Sequence, residues 1–124
     1  MDHLEKAREL RASPDKHYNC CQSVLVAFAE DLGLTEDQAF SLGANVGSGM
    51  RCGSACGALT GGLMVLGMLG CDETRSTAFL RKFQQEHGAI NCAELLKASH
   101  DRGVPWKVHC DGLVFEVVQS ISNP

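Results

Sequence analysis

The side chains in this 124-residue chain best suited to chemistry are its seven cysteines, and four of them recur in one local setting. Asn19-Cys20-Cys21-Gln22 and Asn91-Cys92-Ala93-Glu94 each offer an asparagine to cap a helix, a cysteine at its first position, and Gln or Glu three past the cap. Ser54-Ala55-Cys56 is a variant with serine as the cap, and Cys110 falls near the start of a last helix. Free backbone N–H groups and the helix dipole favour negative charge in a first turn. A thiol so placed can fall from a pKa of ~8.5 into the range of ~3.5–7.5, and the thiolate is the form that attacks disulfides or binds metal. Any one of these cysteines alone reads as a small core hydrophobe; the recurrence at four helix starts is what points to redox or ligand chemistry.

The other three cysteines read differently. Cys21 lies in the apolar stripe of its helix and is expected in the core, and Cys71 is expected to be filler. Cys52 stands four before Cys56 and would share a face with it if the helix extended back, although Gly53 and Ser54 oppose that; Arg51 next door favours a thiolate at either position. A Cys20–Cys21 disulfide would need a strained ring. No Cys-x-x-Cys occurs, which excludes a zinc ribbon, a thioredoxin motif and covalent haem attachment. A four-thiolate metal site would therefore have to assemble from distant helices. Of the five histidines only His109, beside Cys110, is placed to partner a thiol. Gly47-Ser48-Gly49 lacks the Gly-Lys-Ser/Thr ending of a P-loop, and no carboxylate pair or Ser/His/Asp set suggests hydrolysis.

The elements that must position these thiols read as helices. Gly47 to Cys71 opens as a glycine-rich loop and continues as an apolar helix, uncharged from Ala55 to Gly70, which implies burial on all sides. It is shorter than the ~20 residues that span a bilayer. Leu4, Ala7 and Leu10 mark an amphipathic helix over Asp2 to Arg11. Asn19 to Leu32 is a second, with Cys21, Leu25, Phe28 and Leu32 inward, Gln22 off the stripe and Gly33 ending it; Ser13-Pro14-Asp15 is a rival start. Thr35 and Gln38 form a capping box for a helix to Val46, and Asp72 caps one that runs to His87 with Phe79, Leu80 and Phe83 inward. Asn91 to Ala98 is short, and Val108 to Ser122 closes the chain with Cys110, Val114, Val117 and Ile121 on one face. No segment alternates with period two. The expected class is all-α: one domain over residues 1–124, with about six or seven helices around the buried glycine-rich one. Gly57 with Gly61, and Ala58 with Gly62, would let a neighbour pack closely, which also permits a homodimer. A net charge of −4 without a basic cluster gives nucleic acid and anionic lipid nothing to hold. The charged start MDHLEKAREL is not a signal peptide, and the odd cysteine count fits a reducing, cytoplasmic location.

In these residues the chain resembles the redox-active C-GCAxxG-C-C family. The matching positions are Tyr18-Asn19-Cys20, Cys56-Gly57-Ala58-Leu59-Thr60-Gly61, Ile90-Asn91-Cys92 and Cys110, and the likeness spans about residues 4 to 120. The resemblance implies an all-helical, redox-active protein; a similar domain in split-Soret cytochromes implies that an iron–sulfur or other cofactor role is open. Cys21, Cys52 and Cys71 are additions to the four-cysteine pattern.

The leading expectation is an oxidoreductase-like thiol protein needing no cofactor. In it, Cys56 attacks and Cys20, Cys92 or Cys110 resolves a disulfide, the partner being a redox protein or a small thiol. The alternative is a cofactor module in which Cys20, Cys56, Cys92 and Cys110 hold an iron–sulfur cluster or zinc. The third is a helical interaction protein whose cysteines are core filler.

Overall fold

The computed structural model describes residues 2–122. Seven α-helices follow in order: α1 His3–Ala12, α2 Cys20–Ala27, α3 Glu36–Gly43, α4 Gly57–Met68, α5 Glu73–His87, α6 Cys92–Asp101 and α7 Trp106–Ser122. The class is all-α, and one core serves every helix.

Local chemistry sets most of the boundaries. Asp2 caps α1 through the Glu5 N–H. Asn19, not Ser13, caps α2, with a reciprocal pair in which Asn19 Oδ1 accepts from the Gln22 N–H and Gln22 Oε1 from the Asn19 N–H. Thr35 and Gln38 make the same box at α3. Asp72 caps α5, and Gly88, at φ 75°, ends it with a left-handed residue.

Four expected boundaries move. α2 stops at Ala27, short of Leu32, because residues 28–33 tighten into turns in which Phe28 and Ala29 donate three residues back. Gly33 still closes that segment, at φ 71°. α3 ends at Gly43, before Val46. α4 runs from Gly57 to Met68, inside the expected Ala55–Gly70. α7 starts at Trp106, directly after Pro105, two residues ahead of Val108.

The uncharged helix is not buried on all sides. Gly57 to Leu66 of α4 are buried or half-buried, but Gly67 and Met68 are exposed. It shares the centre with α2, which buries every residue from Cys21 to Ala27. Gln22, expected off the apolar stripe, is among them, because its side chain donates to the Phe40 carbonyl while serving the cap. α7 contributes Val114, Val117, Val118 and Ile121, and α5 contributes Phe79 and Phe83.

The small residues of α4 make this packing work within one chain. A Cβ at Gly61 would lie 3.1 Å from Val24 Cβ and 3.2 Å from the Cys21 carbonyl oxygen, so α2 sits against that face. Gly62 faces the other way, where a Cβ would stand 2.8 Å from both Phe79 Cζ and Val117 Cγ1. Gly67 has open space around it. Accordingly, Gly62→Ala should lower stability by about 1 kcal/mol, overpacking of ~1–3 kcal/mol outweighing a helix-propensity gain of up to ~1 kcal/mol. Gly67→Ala should show that gain alone. Urea denaturation midpoints check both, and equal shifts for the two variants would show that the approach of α5 and α7 does not depend on Gly62.

Candidate functional site: a cavity walled by four cysteines

Cys20, Cys56, Cys92 and Cys110 come from four different helices or their caps and line one cavity of about 170 Å³. Two backbone arrangements bring them there.

The first joins Cys56 to Cys92. Ser54–Cys56 and Ile90–Cys92 run antiparallel as an isolated bridge between Ala55 and Asn91. The Cys56 N–H donates to the Ile90 carbonyl at 2.8 Å, and the Cys92 N–H to the Ser54 carbonyl at 2.6 Å. Residues one step past the bridge on each strand point to the same face, so both thiols turn into the cavity. Asn91 is thereby committed to the bridge. It makes no side-chain cap for α6, and its Nδ2 donates to Glu94 Oε1 instead.

The second joins Cys20 to Cys110. Arg11 of α1, with a side chain only 4% exposed, donates from Nε to Asp111 Oδ1 at 2.7 Å and from Nη1 to the Tyr18 carbonyl at 2.9 Å. One guanidinium thus fixes the chain two residues before Cys20 and the residue after Cys110. Lys107 Nζ adds bonds to the Arg11 carbonyl and to both Asp111 oxygens. Cys20 and Cys110 thus face the same cavity, where each acts on the other's ionisation.

Over the cavity lies a left-handed turn. Ser48, Gly49, Met50 and Arg51 all have positive φ, and the three non-glycine residues among them cost roughly 1–2 kcal/mol each. Gly49 is required here, since a Cβ would meet the Ser54 backbone and stand 2.8 Å from Cys92 Cβ. This turn also breaks the extension that would have aligned Cys52 with Cys56: Cys52 is exposed, with its thiol against the Gly49 carbonyl, while Cys56 is buried.

The positions of two cysteines correct the sequence expectation. Cys56 is itself the cap residue of α4, with no cap from Ser54, and Cys110 is the fifth residue of α7 rather than a first-turn residue. The expected general fall in thiol pKa is also reversed. Burial pushes Cys56 up, against the Leu59 and Ala58 N–H groups that pull it down. Burial also raises Cys92, with the charges of Cys56 and Cys20 adding to it. Cys20 is raised by serving as donor to Cys110 and by burial. Only Cys110 is lowered, chiefly by that donated bond, with Arg11 helping. Desolvation wins because these helix starts face a common interior instead of water. Cys21, fully buried, is pushed up to about 12 by desolvation and belongs to the core, as expected. Cys71 is half-buried on the edge of the core.

His109 lines the same cavity. Its Nε2 is buried without a hydrogen-bond partner, and burial, Arg102 and His87 hold its pKa low. Arg11, Asp111 and Trp106 were not singled out by sequence reasoning. For Arg11 the available signal was its position four after Ala7, on the inner face of α1. Trp106 lines the cavity yet is 60% exposed. Among the described residues, the one trio of His, Cys, Asp or Glu with ligand atoms all within 4.8 Å of one another is Glu86, His87 and Glu116, so no three cysteine sulfurs meet that closely.

Fold and site together are those of a small all-helical protein in which four cysteines line one cavity. The chain matches the C_GCAxxG_C_C family model, described as "Putative redox-active protein", over residues 18–123, and it belongs to that family. The match begins at residue 18, so α1 lies ahead of it. No curated protein and no solved structure matched the chain. Among the described residues, no helix is long and apolar enough to cross a membrane.

In metal-free, fully reduced protein at pH 7, iodoacetamide should label Cys110 ahead of Cys20, Cys56 and Cys92. Cys20→Ala should slow that labelling at least about fivefold, because a hydrogen bond to a charged group contributes about 1.5–3 kcal/mol. The Cys110 thiolate should persist below the ordinary thiol range and be lost as pH falls through its lowered pKa. Peptide mapping by mass spectrometry reads all of this; equal labelling of the four would remove the Cys20–Cys110 pairing.

Proposed function

We propose that this chain is an electron-transfer protein of a reducing, cytoplasmic setting, whose centre is an iron–sulfur cluster held by Cys20, Cys56, Cys92 and Cys110. One observation carries the reading: all four thiols wall a single cavity. A dithiol mechanism uses two of them and leaves the other two without a role.

The donor set fits the group. Four thiolates are the ligand set of both structural zinc and iron–sulfur clusters. Cys20, Cys56, Cys92 and Cys110 would be the ligands of the cluster. The raised thiol pKa values are consistent with this, since buried thiols that repel one another's charge become stable thiolates beside a cation. When bound, the cluster would supply one-electron acceptance and donation. The chain's own residues do the rest. The bridge orients Cys56 and Cys92, Arg11 holds the Cys20 and Cys110 segments, and Leu95, Leu96 and Leu113 keep water from the sulfurs.

A second reading rests on the lowered Cys110 thiol with Cys20 beside it. Here the Cys110 thiolate attacks a substrate disulfide, releasing one substrate thiolate and forming a mixed disulfide. Cys20, deprotonated, then displaces the second substrate thiolate and closes a Cys20–Cys110 disulfide, so two electrons leave the chain. This gives Cys110 the attacking role in place of Cys56.

Protein purified without oxygen should be coloured and contain iron and acid-labile sulfide. Each of Cys20→Ser, Cys56→Ser, Cys92→Ser and Cys110→Ser should weaken iron binding by more than the ~10-fold typical of outer-shell losses, while Cys71→Ser should not. A colourless, metal-free protein whose thiol count falls by two on mild oxidation and recovers with reductant would replace the cluster with the dithiol.

A further inference from the structure

α1 precedes the stretch that the family model matches, yet it delivers the only Arg or Lys among the described residues lining the cysteine cavity. The redox reading of the cavity explains the four thiols and uses the bonds of this guanidinium, but gives its charge no task. We propose that Arg11 sets the reduction potential of the four-cysteine centre, as a fixed buried positive charge beside Cys20 and Cys110 with Asp111 as its counterweight. The inference rests on the redox reading, and it applies whether the couple is a cluster or a dithiol.

The geometry supports a permanent charge. A guanidinium stays protonated at any working pH. This one is 4% exposed, so salt screens it little, and bonds to Asp111 Oδ1 and the Tyr18 carbonyl hold its orientation. Arg11 lines the cavity together with Cys20 and Cys110, and the carboxylate it binds belongs to the residue next to Cys110. Asp111 is bound by Lys107 as well, so its position does not depend on Arg11 alone.

The sign follows from charge. Reduction makes the centre more negative, either by adding an electron to a cluster or by turning a disulfide into thiols that can ionise. A buried cation therefore stabilises the reduced form and raises the potential, and a buried carboxylate does the reverse. Neutralising Arg11 must lower the potential, and neutralising Asp111 must raise it. A purely architectural ion pair predicts no such opposition, because either substitution breaks the same bond.

The test is the midpoint potential of wild type, Arg11→Met, Arg11→Lys and Asp111→Asn, with circular dichroism confirming helix content in each. Spectroelectrochemistry reads a coloured centre, and equilibration with glutathione reads a dithiol. Arg11→Met should shift the redox equilibrium about tenfold toward the oxidised form, roughly 59 mV downward for one electron or 30 mV for two. Arg11→Lys should keep at least half of the wild-type effect, and Asp111→Asn should move the potential upward. Shifts of the same sign in Arg11→Met and Asp111→Asn, or a change below about twofold in Arg11→Met, would overturn the proposal. Should Arg11→Met not fold, the upward shift in Asp111→Asn with little change in Arg11→Lys carries the test. A wild type with no redox couple sinks the redox reading and this inference together. A measurable couple that ignores both charges sinks this inference alone.

Discussion

Everything at the cysteine site depends on how closely α2 can lie against α4. That distance is set by two missing side chains. A Cβ at Gly57 would stand 3.2 Å from the Cys21 backbone nitrogen and 3.3 Å from Cys20 Cβ; one at Gly61 would press on Val24 and the Cys21 carbonyl. Both glycines face α2, one turn apart, so they form the groove in which α2 rests. The Cys-Gly-Ala-x-x-Gly string thus has a mechanical meaning. Its cysteine supplies a thiol, its first glycine admits the Cys21 backbone and the Cys20 side chain, and its second extends the same close contact. Ala58, fully buried, supports the core on the adjoining face.

Close packing creates an electrostatic problem. The helix starts that bring the thiols together offer N–H groups that would welcome a thiolate, but they offer them in an interior where charge is expensive. For Cys20, Cys56 and Cys92 desolvation outweighs the helix end, and the thiols repel one another's charge. Thiols held protonated in this way are poor at simple nucleophilic attack. Cys110 is the exception because it has both a hydrogen-bond donor and a guanidinium nearby. The strained turn over Ser48 to Arg51 fits the same picture, since backbone cost of this kind collects where a site must be covered closely.

The sequence by itself determined the helical class and most of the helices, and it singled out the four cysteines that line one cavity. These are local facts: Asn19, Thr35 and Asp72 cap the helices that follow them, Gly33 and Gly88 end segments with left-handed residues, and the apolar spacing of α5 and α7 selects their buried faces. Tertiary structure decided what those cysteines face. Cys110 is not in a first turn at all; it reaches the cavity because α7 passes beside α2. Cys56 and Cys92 are neighbours because two short extended segments, 36 residues apart in the chain, trade a pair of hydrogen bonds that no alternation pattern announces. Arg11 looked like one more charge on an amphipathic helix until Asp111, 100 residues away, gave it a buried partner. The division has a simple cause. Caps, stops and periodicity act within a few residues and are written along the chain, whereas burial, and with it the charge a thiol can carry, is set by residues far apart in sequence.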